Sequence, residues 1–271
     1  MTKFTEMIIE RVNQTIKRFD LLKKPDKVCV ALSGGKDSLT ILYILYKLGY
    51  KVSALCIHEG IEEYRRKTLD HAISFCKQHN IDYKVVSFKE EFGKGMPFFL
   101  KSKELPCTVC GTLRRYLLNK HSKGFDKIAT GHNMDDEAQV VLMNLFRAHV
   151  DLMPRLGPKS KKQKGFTQKI KPLYLVLEKE TERFVKEAKI STCGCRCPYV
   201  VYAYRKQIRE LLDEYEKKHP GTKKNIIERF LKILPKLNKS TLGYGYCKLC
   251  GEPSRTDVCK VCRIVGTAKK H

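Results

Sequence analysis

The residues best suited to chemistry form one hexapeptide, Ser33 to Ser38 (SGGKDS). An apolar, β-rich run at 28–32 precedes it and a mostly apolar run at 39–48 follows it, which predicts a buried strand and a buried helix. A strand that turns through two glycines into a helix points several backbone N–H groups at one place, where the helix dipole also favours an anion. The lysine and the serines add further donors. The hexapeptide therefore predicts a cradle for phosphate.

A second polar turn, Thr130 to Glu137 (TGHNMDDE), lies between a short β-rich run at 127–130 and an apolar helix predicted over 137–146. Ligands of open parallel sheets bind beyond the carboxyl ends of the strands, so both turns are expected at the same edge. Asp135 and Asp136 are adjacent. We expect one of them to cap the helix while the other faces the crevice, where it could hold Mg²⁺ or act as a base.

The twelve cysteines are unevenly distributed. Three of them, Cys29, Cys56 and Cys76, lie in apolar runs and are predicted to be core residues. The other nine form three groups: Cys107 with Cys110; Cys193, Cys195 and Cys197; and Cys247, Cys250, Cys259 and Cys262. With no secretory signal in the sequence, these groups indicate metal binding rather than disulfides. The last group has the paired C-x-x-C spacing of a zinc ribbon, with rubredoxin-like iron as the alternative.

The net charge of the chain indicates which kind of partner it binds. The chain carries 54 basic and 29 acidic residues, a net charge of +25, and has no run of eighteen apolar residues. These values predict a soluble cytoplasmic protein with no membrane contact that binds a polyanion, for which nucleic acid is the best fit. The alternative, a lysine-rich thermophile surface, would carry matching glutamates. The lysine-rich stretch 154–171 is predicted to be a loop that contacts RNA phosphate, although a merely solvated loop is also possible.

Alternating strands and helices predict an α/β fold with a parallel sheet. The expected strands are 28–32, 51–57, 83–88 and 127–130, and the expected helices are 4–22, 39–48, 61–79, 112–122, 137–146, 178–188, 200–218 and 222–237. Residues 90–106 are expected to be loop. The predicted division is an N-terminal helix (1–24), an ATP-binding domain (25–175), a helical RNA-contacting region (176–240) and a zinc ribbon (241–271).

Five motifs together resemble the PP-loop ATP pyrophosphatases that thiolate tRNA, the TtuA and Ncs/Ctu group, which are relatives of TtcA. The motifs are SGGKDS, the C-x-x-C-G at 107–111, the T-G-H-N-x-D-D at 130–136, Cys197-Pro198 and the terminal cysteine pairs. The resemblance runs from about residue 15 to the C-terminus. It implies a PP-loop domain (adenine nucleotide alpha hydrolase-like) that uses ATP and Mg²⁺ to replace an oxygen of a tRNA uridine by sulfur. It also implies an iron–sulfur cluster, 4Fe-4S or 3Fe-4S, and a homodimer.

The resemblance assigns residues to roles. The cluster ligands would be Cys107, Cys110 and Cys197, which leaves one iron of a cubane open to carry sulfide. The catalytic residues would be Lys36, Asp37, Arg114 and Asp136. The ATP-binding residues would be Ala31, Ser33, Gly34, Gly35, Lys36, Asp37, Ser38, Ile57 and Gly131. The sulfur donor would be sulfide or a ubiquitin-like thiocarboxylate protein.

Several alternatives stay open. Arg114, in the string CTVCGTLRR, slightly favours the wobble uridine over the T-loop uridine as the target. Cys110 and Cys197 could instead serve as a persulfide donor and a resolving thiol. A second zinc site could also form from Cys107, Cys110 and two of the three cysteines at 193, 195 and 197. Cys193 and Cys195 depart from the motif and could be ligands, sulfur relays or catalytically idle. Outside thiolation, the chain could be another PP-loop enzyme, such as a lysidine synthetase, or an RNA-binding protein with a vestigial loop.

Overall fold

The computed structural model describes residues 2–100, 105–202, 204–237 and 243–268. Its centre is a five-stranded, fully parallel sheet in the order β3-β2-β1-β4-β5. The strands are β1 (Lys27–Ala31), β2 (Lys51–His58), β3 (Tyr83–Ser87), β4 (Lys127–Ala129) and β5 (Gln168–Ile170); a separate hairpin pairs β6 (Gly245–Tyr246) with β7 (Pro253–Ser254). The α/β parallel-sheet prediction is confirmed.

Helices cover both faces of the sheet, as the alternating side-chain directions of its strands require. They are α1 (Lys3–Arg18), α2 (Lys36–Lys47), α3 (Glu62–Gln78), α4 (Phe88–Phe92), α5 (Met96–Phe99), α6 (Pro106–His121), α7 (Met134–Phe146), α8 (Glu178–Glu187), α9 (Tyr204–Lys218), α10 (Thr222–Ile233) and α11 (Lys260–Ala268), with 3₁₀ turns at Val150–Arg155, Pro198–Tyr202 and Leu234–Lys236. On β1, Val28 and Val30 face the core of α1, α2, α3 and α8, while Cys29 faces that of α6 and the ribbon.

The strand order places the two polar turns side by side. From β1 the chain moves to β2 and β3 on one side, then returns to β4 on the other side of β1. The carboxyl ends of β1 and β4 therefore flank the point where the order reverses, which is where open α/β sheets bind ligands. Helices α7, α9 and α10 form a smaller core beside this edge. Among the helices that the structure describes, none combines the length and hydropathy of a membrane span.

Two loop predictions were wrong. The segment 90–106 contains the end of α4 and all of α5, and the lysine-rich segment 154–171 contains β5. β5 has only three residues and lies at the edge of the sheet, where a charged side chain such as that of Lys169 is acceptable, so its composition looks like loop. Helix α6 also begins at Pro106 rather than 112, because proline fits the first position of a helix. The division at 24, 175 and 240 stays a prediction.

Candidate active site

The turn that the sequence predicts as a phosphate cradle joins β1 to α2. Gly35 is the N-cap of α2 and no side chain caps the helix, so its first N–H groups remain available to a ligand. The Ser38 hydroxyl accepts from the Ser33 N–H (3.1 Å) and donates to the Gly35 carbonyl (2.9 Å), which fixes the turn. Gly34 has φ +83°, and a Cβ there would lie 1.9 Å from the Thr68 carbonyl oxygen. Only glycine fits this position.

Charged side chains converge above the cradle. The Lys36 amine donates to Asp37 (3.0 Å) and to Glu178 at the start of α8 (2.7 Å). The other Asp37 oxygen accepts from Thr181 (2.6 Å) and Asn133 (3.1 Å). Burial lowers the pKa of Lys36, but the two carboxylates outweigh it and raise the pKa above its ordinary value. Lys36 is therefore a fully charged group held toward the crevice.

The second turn touches the first. A Cβ on Gly131 would lie 2.8 Å from the Asp37 carbonyl carbon, so glycine is what allows the contact. Asn133 caps α7, and its side chain accepts from the Asp136 N–H (3.0 Å) while Asp136 accepts from the Asn133 N–H (3.2 Å). The prediction that one of the two aspartates would be the helix cap is therefore wrong, because Asn133 supplies the better-placed oxygen.

The adjacent aspartates point in different directions. Asp135 is buried and accepts from Lys223 and from the Glu178 N–H. Asp136 keeps part of its surface exposed, and Arg205 approaches it at 3.6 Å. Of the two, Asp136 is thus the carboxylate open to the crevice. At the end of the neighbouring strand, Ile57 is buried in the core and its carbonyl accepts from Arg65 (2.7 Å), and Ala31 is half-buried at the end of β1.

The structure brings the three predicted cluster cysteines together. Cys107 and Cys110 lie in the first turn of α6, and Cys197 precedes the 3₁₀ turn that packs against it; the Cys107 sulfur is 3.6 Å from the Tyr199 carbonyl oxygen. Burial raises the pKa of Cys110 to about 12. Cys110 and Cys197 also pack against the same hydrophobic core.

These three sulfurs are not arranged as in a single-ion site. Four sulfurs around one zinc ion are about 3.8 Å apart, given Zn–S distances near 2.3 Å. Within the described ranges, the one group of three or more ligand atoms that all lie within 4.8 Å of one another is the terminal set of four cysteines. Cys107, Cys110 and Cys197 do not form such a group. A second zinc site at these cysteines finds no support.

A chain of ion pairs runs from the cradle toward the cysteines, and sequence reasoning missed it. Arg65 donates to the Ser33 carbonyl (2.5 Å) and pairs with Glu59 (2.7 Å), and both side chains are almost fully buried. Glu59 also pairs with Arg114 (3.3 Å), which lies one helical turn after Cys110 on α6 and keeps part of its surface exposed. The sequence contains one indication of this role, since Glu59 closely follows a predicted strand of the sheet. Its partners lie too far away in sequence to be anticipated.

The terminal cysteines have the geometry of one tetrahedral site. Two sulfur pairs, Cys247 with Cys262 and Cys250 with Cys259, are each 3.8 Å apart, which equals the edge expected for zinc. The Cys259 N–H donates to the Cys247 sulfur at 3.2 Å. The hairpin β6–β7 and helix α11 hold these residues against α6.

Cys193 and Cys195 lie next to each other, with their Cα atoms 5.1 Å apart across Gly194. Both stand a few residues before Cys197 in the same irregular segment. Their roles as ligands, sulfur relays or catalytically idle residues stay predictions.

Comparison with known proteins assigns the family. The PP-loop domain matches residues 4–210. This chain belongs to the PP-loop family. Within the family it is similar to the tRNA 2-thiolation proteins, so the resemblance drawn from the five motifs is confirmed.

Three relatives of this PP-loop protein illustrate the group. The tRNA-5-methyluridine(54) 2-sulfurtransferase of Pyrococcus horikoshii is 36% identical over 98% of this chain and 87% of its own length. The tRNA 2-thiolation protein NcsA of Haloferax volcanii is 31% identical over 97% and 90%. The structure of the U34-tRNA thiolase NcsA from Methanococcus maripaludis, with its 4Fe-4S cluster, superposes with a TM-score of 0.83 at 34% identity, covering 97% of this chain and 88% of that one.

Proposed function

We propose that this PP-loop protein is an ATP-dependent tRNA-uridine 2-sulfurtransferase. The observation that carries the proposal is the chain of ion pairs that starts at the cradle and runs through Arg65 and Glu59 to Arg114, on the helix that carries Cys107 and Cys110. An adenylating loop alone would serve many PP-loop enzymes. An adenylating loop tied to three convergent cysteines suits a reaction in which an activated carbon meets sulfur.

The cradle would bind the phosphates of ATP through the N-terminal N–H groups of α2, with Lys36 as the cationic partner. Asp37 and Asp136 are the carboxylates that would hold Mg²⁺, since hard oxygen ligands suit this ion and both keep exposed surface. Ala31, Ile57 and Gly131 would shape the nucleoside side of the site. Developing charge on the α-phosphate is stabilised by donors that are already in place.

The reaction has two steps. The C2 oxygen of the uridine attacks the α-phosphate, the bond to the β-phosphate breaks, and pyrophosphate leaves. A sulfur nucleophile then attacks C2, and the original oxygen leaves with AMP. Arg114 would stabilise the phosphate during both steps. A cluster on Cys107, Cys110 and Cys197 would supply the binding place for that sulfur, delivered as sulfide or by a thiocarboxylate protein.

The proposal also covers the metal of the ribbon, the assembly, the location and the tRNA position. The 3.8 Å sulfur spacing supports Zn²⁺ in the ribbon. A homodimer and a cytoplasmic location are proposed by similarity, the latter to the cytoplasmic tRNA 2-thiolation protein 1 of Danio rerio, 31% identical over 94% of this chain. Relatives named for both tRNA positions match at similar identity. Of the two positions, Arg114 slightly favours the wobble uridine as the target.

The experiment is anaerobic reconstitution. Purified protein is loaded with iron and sulfide, given unmodified tRNA, ATP and sulfide, and the nucleosides are analysed by mass spectrometry. We expect ATP-dependent 2-thiouridine, lost in Cys197→Ala and retained in Cys76→Ala, a core cysteine outside the site. ATP binding should survive in both variants. Thiolation by Cys197→Ala would remove the cluster from the mechanism. In a parallel reaction that also contains lysine, a lysine adduct instead of sulfur would indicate a lysidine synthetase-like enzyme.

A further inference from the structure

A pocket of about 440 Å³ lies between the lysine-rich segment 154–171, the turn after α10 and the start of the ribbon. Its size is within the usual range for small-molecule sites. The lining residues that matter here are Arg155, Lys161, Phe166, Lys169, Tyr244 and Arg255. The pocket is distinct from the cradle and from both cysteine sites.

The charge of this pocket is one-sided. No carboxylate lines the pocket. Five basic side chains do, those of Arg155, Lys159, Lys161, Lys169 and Arg255. Lys159 pairs with Asp20 at 3.0 Å. Over the described part of the chain, no carboxylate lies within 4.0 Å of Arg155, Lys161, Lys169 or Arg255, the remaining four. A dense set of cations without acids is the electrostatic footprint of an anion site.

The pocket also has an aromatic wall. Phe166 meets Tyr244 edge-on with ring centroids 5.0 Å apart, and the Arg255 guanidinium lies 4.8 Å from the Tyr244 ring centroid. Gly165, at φ +81°, packs so closely that a Cβ would lie 2.5 Å from Pro253 of the ribbon. This contact fixes the segment against the ribbon. Stacked aromatic and guanidinium planes are the surface on which proteins bind unpaired bases.

A short basic track runs along β5 from this pocket toward the active site. Lys169 lies in β5, which pairs with β4, and the second polar turn follows β4. Lys171 comes directly after β5 and pairs with Glu137 of α7 (2.8 Å). Burial and the nearby cations Arg115 and Lys171 lower the pKa of Lys169 to about 8. A strand of RNA with a phosphate at Lys169 therefore lies beside the strand that leads to the second polar turn.

From the lining, the charge and the track, we propose that this pocket is a nucleotide subsite for the RNA substrate. One unpaired nucleotide near the modified uridine stacks its base on the Tyr244–Arg255 wall and places its phosphate among Arg155, Lys161 and Lys169. The inference rests on the proposed function for the identity of the RNA. An acidic protein segment is the competing occupant, but it would make little use of a stacking wall.

Binding of unmodified tRNA is measured by fluorescence anisotropy at several salt concentrations, with no ATP, sulfide or cluster present. We expect Tyr244→Ala to weaken binding about tenfold and Tyr244→Phe to restore it, because stacking needs the ring and not the hydroxyl. Arg255→Ala should weaken binding and reduce the slope of log affinity against log salt by about one. Zinc content of each variant reports that the ribbon is intact.

Tyr83→Ala and Lys51→Ala are the matched controls, since Tyr83 begins β3 at the opposite edge of the sheet and Lys51 begins the neighbouring β2. They should bind tRNA as the unaltered protein does. Unchanged tRNA affinity in Tyr244→Ala, or equal weakening by Tyr244→Ala and Tyr244→Phe, overturns the subsite. The binding assay does not depend on thiolation. If the tRNA-binding results contradict the subsite, the proposed reaction is unaffected. If thiolation is not observed, the measured tRNA affinity still tests the subsite.

Discussion

Replacing Glu59 by glutamine should destabilise this protein far more than any surface change of the same kind. Glu59→Gln keeps the size of the side chain and removes its charge. Arg65, which is 3% exposed, would then lose its carboxylate partner, and Arg114 would lose the same partner. Removing one member of a buried ion pair costs about 3–5 kcal/mol, because the other charge stays buried. That cost is a large part of the roughly 5–15 kcal/mol of a typical domain.

The assay is urea unfolding followed by circular dichroism, with ATP affinity measured by calorimetry on the same preparations. Glu63→Gln is the control, since Glu63 is 80% exposed and pairs with Lys67 one helical turn away. This substitution should cost about 0.5 kcal/mol or less. The ATP affinity of Glu59→Gln should also fall, because Arg65 holds the Ser33 carbonyl. A loss of stability no larger than that of the control refutes the reasoning.

Three further predictions concern the cradle, the ribbon and the pocket. Gly34→Ala should abolish ATP binding in calorimetry, whereas Gly124→Ala, also at positive φ but with nothing within 4 Å of the new Cβ, should leave it unchanged. Cys250→Ser should remove the one zinc expected in elemental analysis and increase hydrogen exchange in 243–268 only, because this short segment depends on its metal. Since the pKa of Lys169 is about 8, tRNA affinity should fall as pH rises from 7.5 to 9, and Lys169→Arg should flatten that profile in anisotropy titrations.

Local patterns in the sequence were enough to predict the parts of the fold that depend on neighbouring residues. The hexapeptide at 33–38 and the turn at 130–137 are each built within a few residues, so their chemistry and their place after a strand are readable. The cysteine spacing predicted the ribbon for the same reason. β5 escaped prediction because three residues carry too little periodicity, and pairing with β4 rather than local preference makes them a strand.

The connections between these parts could not be predicted. Thr181 donates to Asp37 across 144 positions, and Glu178 contacts Lys36 across 142. Arg65 reaches Ser33 across 32 positions. Each is a single polar residue with no motif around it, and its role depends on tertiary packing. The resemblance supplied the cluster ligands, but it did not reveal the residues that link them to the cradle.

The ammonium group of Lys36 has consequences for how nucleotide enters. It offers three donors, and two already point to carboxylates, those of Asp37 and Glu178. An arriving phosphate therefore finds one of the three N–H donors of Lys36 free. A second phosphate oxygen can accept a hydrogen bond from Lys36 only if it displaces one of the two carboxylates. Nucleotide binding therefore exchanges one anion for another at Lys36, because a phosphate replaces a carboxylate as its partner. Glu178 also holds Arg209 of α9, so any displacement of its carboxylate would be transmitted directly to the helical region.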